Sequence, residues 1–148
     1  MTDLAHEKSG RVLNFSVSAD VDEIVSASER ISAFCAHNGM SVKETMRLEM
    51  SMEEVMTLIR QVNEAKGADE LKFDLRAYSV KNVRGIRIRY SGIPFNPFNF
   101  TPGTGEIEED MYMGVRMIKK MVEMVNYQSA FGVNTLQIIL REEKKNEA

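Results

Sequence analysis

Glu53 and Glu54 stand side by side at the flank of an apolar helical stripe, and a carboxylate held at such an edge can serve as a general base. The pair could be a base and its neighbour, while the plainer reading is a solvated helix flank. Tyr90 and Gly92 close an alternating run. There Gly92, followed by Pro94 and Pro97, either ends a strand and opens a loop or lets the backbone approach a bound ring. Gly114 begins another helical stripe, and the free N–H groups of a helix start can hold a phosphate. Arg116, Lys119 and Lys120 could meet phosphates too, although a lysine pair on a helix reads first as surface charge. Thr101-Pro102-Gly103-Thr104-Gly105 lacks the Lys-Ser/Thr and following helix of a phosphate loop and is set aside. His6 and His37 lie far apart with no Cys or His cluster nearby, so no metal ligand set is expected from spacing.

These residues need elements to position them. Leu13, Phe15 and Val17 alternate with polar neighbours and predict a strand over 12–17. Asp20 and Glu23 have capping-box spacing before a helix with Ile24, Val25, Ile31, Phe34 and Cys35 on one face, ending at Asn38-Gly39. Ser41 and Glu44 open a second helix in the same way, whose stripe is Leu48, Met52, Val55, Met56, Ile59 and Val62 and whose stop is Gly67. Leu71, Phe73, Leu75 and Ala77, then a Lys81-Asn82 turn, then Ile86 and Ile88 predict an antiparallel hairpin. The segment from Gly92 to about Asp110 holds all three prolines and reads as a long connection. A helix carrying Met113, Met117, Ile118, Met121, Val122 and Val125 follows, and a β-rich segment from Val133 to Leu140 closes the domain. Paired strands with helices to one side argue for a two-layer α/β (α+β) sandwich with a mixed, mostly antiparallel sheet.

Element order and three local patterns together resemble the gyrase- and histidine-kinase-type (GHKL) ATPase domain over roughly residues 11–141, specifically its anti-sigma-factor serine kinase branch. The first pattern is Glu53-Glu54-Val55-Met56-Thr57-Leu58, similar to the family's helix with a catalytic glutamate and, four residues on, a magnesium-holding asparagine. Leu58 stands in the asparagine's place and offers no oxygen to a cation that demands near-octahedral oxygen ligation. The second is Tyr90-Ser91-Gly92-Ile93-Pro94-Phe95-Asn96-Pro97, which resembles the Asp-x-Gly segment around adenine. Tyr90 replaces the aspartate that accepts from the adenine amino group, and Gly92 is kept. The third is Met113-Gly114-Val115-Arg116-Met117-Ile118-Lys119-Lys120 with Asn126-Tyr127 and Gly132-Val133-Asn134, similar to the glycine-led helix after the nucleotide lid and the entry to the last strand. Tyr112 stands where a further glycine is frequent.

The resemblance implies a histidine-kinase-type ATPase fold, ATP with magnesium as cofactor, and a sigma factor or anti-sigma-factor antagonist as protein partner, with a homodimer as the common assembly. Two chemically essential positions depart from the pattern. The expected function is therefore a regulatory domain that works through protein contacts with ATP binding weak or lost. The alternatives are an active ATP-dependent serine kinase that phosphorylates an antagonist protein, with Glu54 as base, and an unrelated small α/β binding protein.

Bulk properties agree with one such domain. The chain of 148 residues is 43% hydrophobic, enough for one core. Its net charge of -3 and scattered basic residues give no nucleic-acid footprint. The single cysteine, Cys35, excludes an intrachain disulfide and fits a reducing compartment. No apolar run approaches a membrane span, so a cytoplasmic protein is expected. The 11 methionines read first as adaptable packing and second as a partner groove.

Overall fold

A computed structural model describes residues 11–68, 70–99 and 109–141; His6 and the Thr101–Gly105 stretch lie outside them. The order is β1 (Val12–Ser18), α1 (Val21–His37), α2 (Val42–Ala65), β2 (Lys72–Val80), β3 (Val83–Ser91), α3 (Glu109–Met121), β4 (Met124–Ala130) and β5 (Val133–Arg141). The strands form one sheet in the order β1-β2-β3-β5-β4, antiparallel at every pairing, with helices packed on one face. This is the expected two-layer α+β sandwich.

Alternation decides which face is covered. Phe73, Leu75 and Ala77 of β2, Ile86, Ile88 and Tyr90 of β3, and Leu136, Ile138 and Leu140 of β5 point toward the helices and are buried. On α1, Ile24, Ala27, Ile31, Phe34 and Cys35 meet them, while Val25 is 52% exposed, rotated off that stripe. Arg30 lays its guanidinium 4.2 Å from the centre of the Phe15 ring and ties α1 to β1. Helix α2 contacts α1, α3 and the sheet. Its six expected stripe residues are all buried, and Ser51, Leu58 and Asn63 are buried as well because neighbours cover it on more than one side.

The second helix starts as its sequence dictates. Ser41 Oγ accepts from the Glu44 N–H at 3.0 Å, and Glu44 Oε1 accepts from the Ser41 N–H at 2.9 Å. The first does not. Asp20 occupies the N-cap position without a side-chain cap bond; its carboxylate accepts from Ser18 Oγ at 3.2 Å, and Glu23 accepts from the Ser18 N–H at 3.4 Å. With only Ala19 and Asp20 between β1 and α1, these carboxylates hold the strand end instead.

The C-terminal third differs from the sequence reading. The helical stripe was expected to run to Val125, yet α3 stops at Met121 and β4 begins at Met124. The Glu123 N–H donates to the Ile139 carbonyl at 2.8 Å, so the chain joins β5 at once. Val122 and Val125 are β-branched and favour a strand when a partner edge is available. Phe131 (φ 54°) and Gly132 (φ 79°) form the two-residue turn into β5, both in the left-handed region that such a hairpin demands. The buried faces of α3 centre on Val115 and Ile118, and Met117 is 55% exposed. Methionines divide likewise: Met52 and Met56 are core, Met46 and Met50 are exposed.

Ser41→Ala is expected to lower unfolding free energy by about 1 kcal/mol in urea titration, and Asp20→Ala by less than about half of that. Cys35 is wholly buried, and burial pushes its thiol from 9.0 up to about 11 against a hydrogen bond with Thr45. The folded state thus holds the proton more tightly than the unfolded chain. Stability from this group is complete below pH 9 and falls as pH rises through 11, by up to about 2–3 kcal/mol. Denaturant melts across that window should be flatter for Cys35→Ala than for the parent.

Candidate functional site

The residues singled out by sequence gather in two groups along α2. At the first, Glu54 meets α3 at Gly114. A Cβ on Gly114 would lie 3.0 Å from Glu54 Oε2 and 3.1 Å from its Cδ, so glycine there lets the carboxylate seat directly on the α3 backbone. Glu54 is partly buried and borders a small hollow of about 260 Å³ shared with Met50, Glu53 and Thr57. Gly114 was expected at a helix start. Helix α3 begins at Glu109, which puts Gly114 in its second turn, where the N–H is used within the helix rather than presented to an anion. Lys119, read as a surface or phosphate-facing cation, donates from Nζ to the Phe98 carbonyl at 3.1 Å.

One turn of α2 further on, Leu58 is fully buried within the hydrophobic core. Next comes the second group, where the chain leaves β3. Tyr90 is 3% exposed, and its ring meets Phe73 edge to face, with centroids 5.6 Å apart and planes at 69°. Burial, and then the neighbouring Tyr127, push its phenol above the ordinary value. The buried Tyr90 Oη has no hydrogen-bond partner among the described residues. Gly92 follows, and a Cβ there would stand 2.7 Å from Asn63 Oδ1 and 3.4 Å from Leu71 Cδ1. The close approach Gly92 permits is to the Asn63 amide.

Two buried asparagines hold this exit. Asn63, on α2, donates from Nδ2 to the Ile59 carbonyl at 2.8 Å and accepts the Ile93 N–H on Oδ1 at 3.0 Å. Asn134, on β5 and 0% exposed, donates from Nδ2 toward the carbonyls of Tyr90 (3.4 Å) and Gly92 (3.3 Å). Its Oδ1 accepts from Tyr127 Oη at 2.5 Å, and Tyr127 Oη in turn accepts the Phe95 N–H at 3.0 Å. Pro-containing backbone between Ile93 and Phe98 is thereby fixed to α2, β4 and β5, and Phe98 is buried beneath it. The Tyr127 and Asn134 positions belong to the third sequence pattern. Asn63 was not singled out, although a polar amide one place beyond Val62 on an apolar helix face was the available signal.

Among the described residues no group of three or more His, Cys, Asp or Glu side chains is arranged to hold a metal ion. No described helix is long and apolar enough to cross a membrane.

No protein-family model and no curated protein matches this sequence. The fold is shared with a solved structure. A chain of the SiaB–SiaC complex from Pseudomonas aeruginosa superposes with a TM-score of 0.65 over 94% of this chain and 95% of that one, at 10% sequence identity. At this identity the likeness is one of fold: the same layers and nearly the same length, with the side chains changed.

Tyr90→Phe should leave stability unchanged or raise it by up to about 1 kcal/mol, since it removes a buried hydroxyl without a partner. Asn134→Ala removes an amide that serves both Tyr127 and two carbonyls, and should lower unfolding free energy by about 2–3 kcal/mol. Parallel urea titrations give both values.

Proposed function

We propose that this chain is a regulatory domain, resembling an anti-sigma-factor serine kinase, that acts through protein–protein contacts with ATP binding weakened or lost. The observation that carries this reading is the burial of Leu58 and Tyr90, 0% and 3% exposed, at the two positions where the resemblance calls for a magnesium ligand and an adenine acceptor. Leucine supplies no oxygen for a magnesium shell, and turning it toward a nucleotide would leave a gap in the core. The donor set does not fit the metal. A phenol accepts a hydrogen bond more weakly than a carboxylate, and the Tyr90 ring is engaged with Phe73. Replacing the charge-assisted bond costs about 1.5–3 kcal/mol, roughly ten- to a hundredfold in affinity.

Support for action through protein contacts comes from the fold. The Pseudomonas aeruginosa chain was solved in complex with a second protein, and this chain has the same architecture over nearly its whole length. A second reading, an active ATP-dependent serine kinase acting on an antagonist protein, is favoured by one feature: Glu54 lies against Gly114, so the candidate base and the glycine of the lid-following helix are neighbours. Phosphoryl transfer depends chiefly on metal and charge placement, however, and Leu58 and Tyr90 alter both.

Calorimetric titration and thermal shift with ATP and ADP, each with and without magnesium, separate the two. No heat and no rise in melting temperature at millimolar nucleotide is the expected result. Saturable, magnesium-dependent binding at micromolar nucleotide overturns the reading of weakened or lost ATP binding.

A further inference from the structure

Among the described residues the sheet face turned away from the helices has no second layer, and its centre carries three arginines. Arg76 of β2 and Arg87 of β3 are direct cross-strand partners, and Arg89 is the next residue on the same face of β3. Like charges placed directly opposite one another destabilise a sheet. Arg87 is held below its ordinary value first by burial and then by Arg89 and Arg76, so the crowding is felt at the central guanidinium. Its Nε is buried with no hydrogen-bond partner among the described residues. The nearest anion, Asp74, stands across from Arg89 and also accepts from Ser16 Oγ at 2.5 Å. Two carboxylates, Asp74 and the exposed Glu70 on the wall of the adjoining hollow, stand against Arg76, Arg87, Arg89 and the neighbouring Lys72, which leaves this face with a smaller surplus of positive charge on a chain whose net charge is -3.

A second observation lies at the end of the same face. Phe131, at the tip of the β4–β5 hairpin, is 105% exposed and has φ 54°. A bulky residue in the left-handed region is strained, and a turn of this type is formed best by asparagine followed by glycine. Neither folding nor turn geometry accounts for a phenylalanine there. Backbone strain on an exposed aromatic side chain marks a functional position. Between Phe131 and the cations runs a hollow of about 770 Å³, with Lys72 and Arg89 toward one end and Val133 toward the other.

We propose that this sheet face docks an acidic segment of a protein partner, with carboxylates on the Arg76–Arg87–Arg89 lattice and an apolar side chain packed against Phe131. Arginine and aromatic residues together are what interface centres favour. A second copy of this chain is a poorer occupant, because two-fold stacking of the face on itself sets cations against cations. Nucleic acid is poorer too, since a long phosphate backbone would run beyond these few cations onto a chain whose net charge is -3 and whose other basic residues are scattered. The inference rests on the reading of the chain as a protein-contact domain and adds the surface used. Its test contains no nucleotide, so its failure leaves the ATP titrations untouched.

The probe is a fluorescein-labelled peptide of about twelve residues alternating glutamate and leucine, titrated by anisotropy against the full chain. Saturable binding that weakens about tenfold in Arg87→Gln/Arg89→Gln, about tenfold in Phe131→Ala, and with added salt is the expected result. Lys43→Gln/Arg47→Gln removes equal charge from α2 and should bind as the parent does; all variants should melt cooperatively, which the exposed or partly exposed positions permit. Three outcomes of the titrations overturn the proposal. They are no saturable binding by the parent, equal weakening in the α2 control, or tighter binding of a single-stranded oligonucleotide of the same charge. Self-association in sedimentation that Arg87→Gln/Arg89→Gln abolishes overturns it as well, in favour of a second copy.

Discussion

From Ser51 to Asn63 no residue of helix α2 is fully exposed, and most of the molecule follows from that. It packs against α1, α3 and the sheet, and every one of Leu48, Met52, Val55, Met56, Leu58, Ile59 and Val62 is buried. A position so enclosed accepts an apolar side chain at low cost, whereas a polar one costs free energy unless its hydrogen bonds are complete, as they are not at the buried Ser51 Oγ among the described residues. Leu58 meets the condition in the first way and Asn63 in the second, through the Ile59 carbonyl and the Ile93 N–H. Two positions on one helix, five residues apart, thus solve the same enclosure differently. Leucine at 58 serves packing.

Asn63 and Asn134 extend this constraint to the segment that leaves β3. A chain with Pro94 and Pro97 has lost two backbone donors and cannot continue the ladder, so its remaining polar groups need partners from outside. The two amides and the Tyr127 hydroxyl supply them, from α2, β5 and β4 in turn. This arrangement requires β4 to stand beside β5. The unexpected edge strand is therefore tied to the geometry of the candidate site, because it carries Tyr127.

What was legible in the sequence was whatever depends on local periodicity. The β2–β3 hairpin, the Ser41–Glu44 box and the six-residue stripe of α2 all repeat with a clear period, and each is where it was expected. What was not legible depends on partners distant in sequence. Val122 and Val125 read as the end of a helical stripe on a 3.6-residue period, and only pairing with β5 makes Met124–Ala130 a strand. Asp20 and Glu23 have the spacing of a cap, yet Ser18 competes for both carboxylates. Gly114 and Glu54 were read from separate patterns, and no spacing in the chain could say that one would lie on the other. Asn63 could have been found, since a single amide within an apolar stripe asks for a partner.

The two faces of the sheet show how differently the chain treats polar cost. On the inner face, buried amides are provided with donors and acceptors, as at Asn134. On the outer face, Arg76 and Arg87 are direct cross-strand partners with Asp74 as a partial counter-charge, and Phe131 is exposed in a strained turn. An edge or open face is ordinarily kept soluble by scattering charges of both signs. Concentrating one sign in the middle of the sheet does nothing for folding that a mixed pattern would not do better. The same feature becomes favourable once an acidic surface covers it, because desolvation strengthens each guanidinium–carboxylate pair and the repulsion among the arginines is relieved at the same moment. A sheet face that is electrostatically frustrated alone and satisfied when covered would give affinity without requiring any rearrangement of the fold.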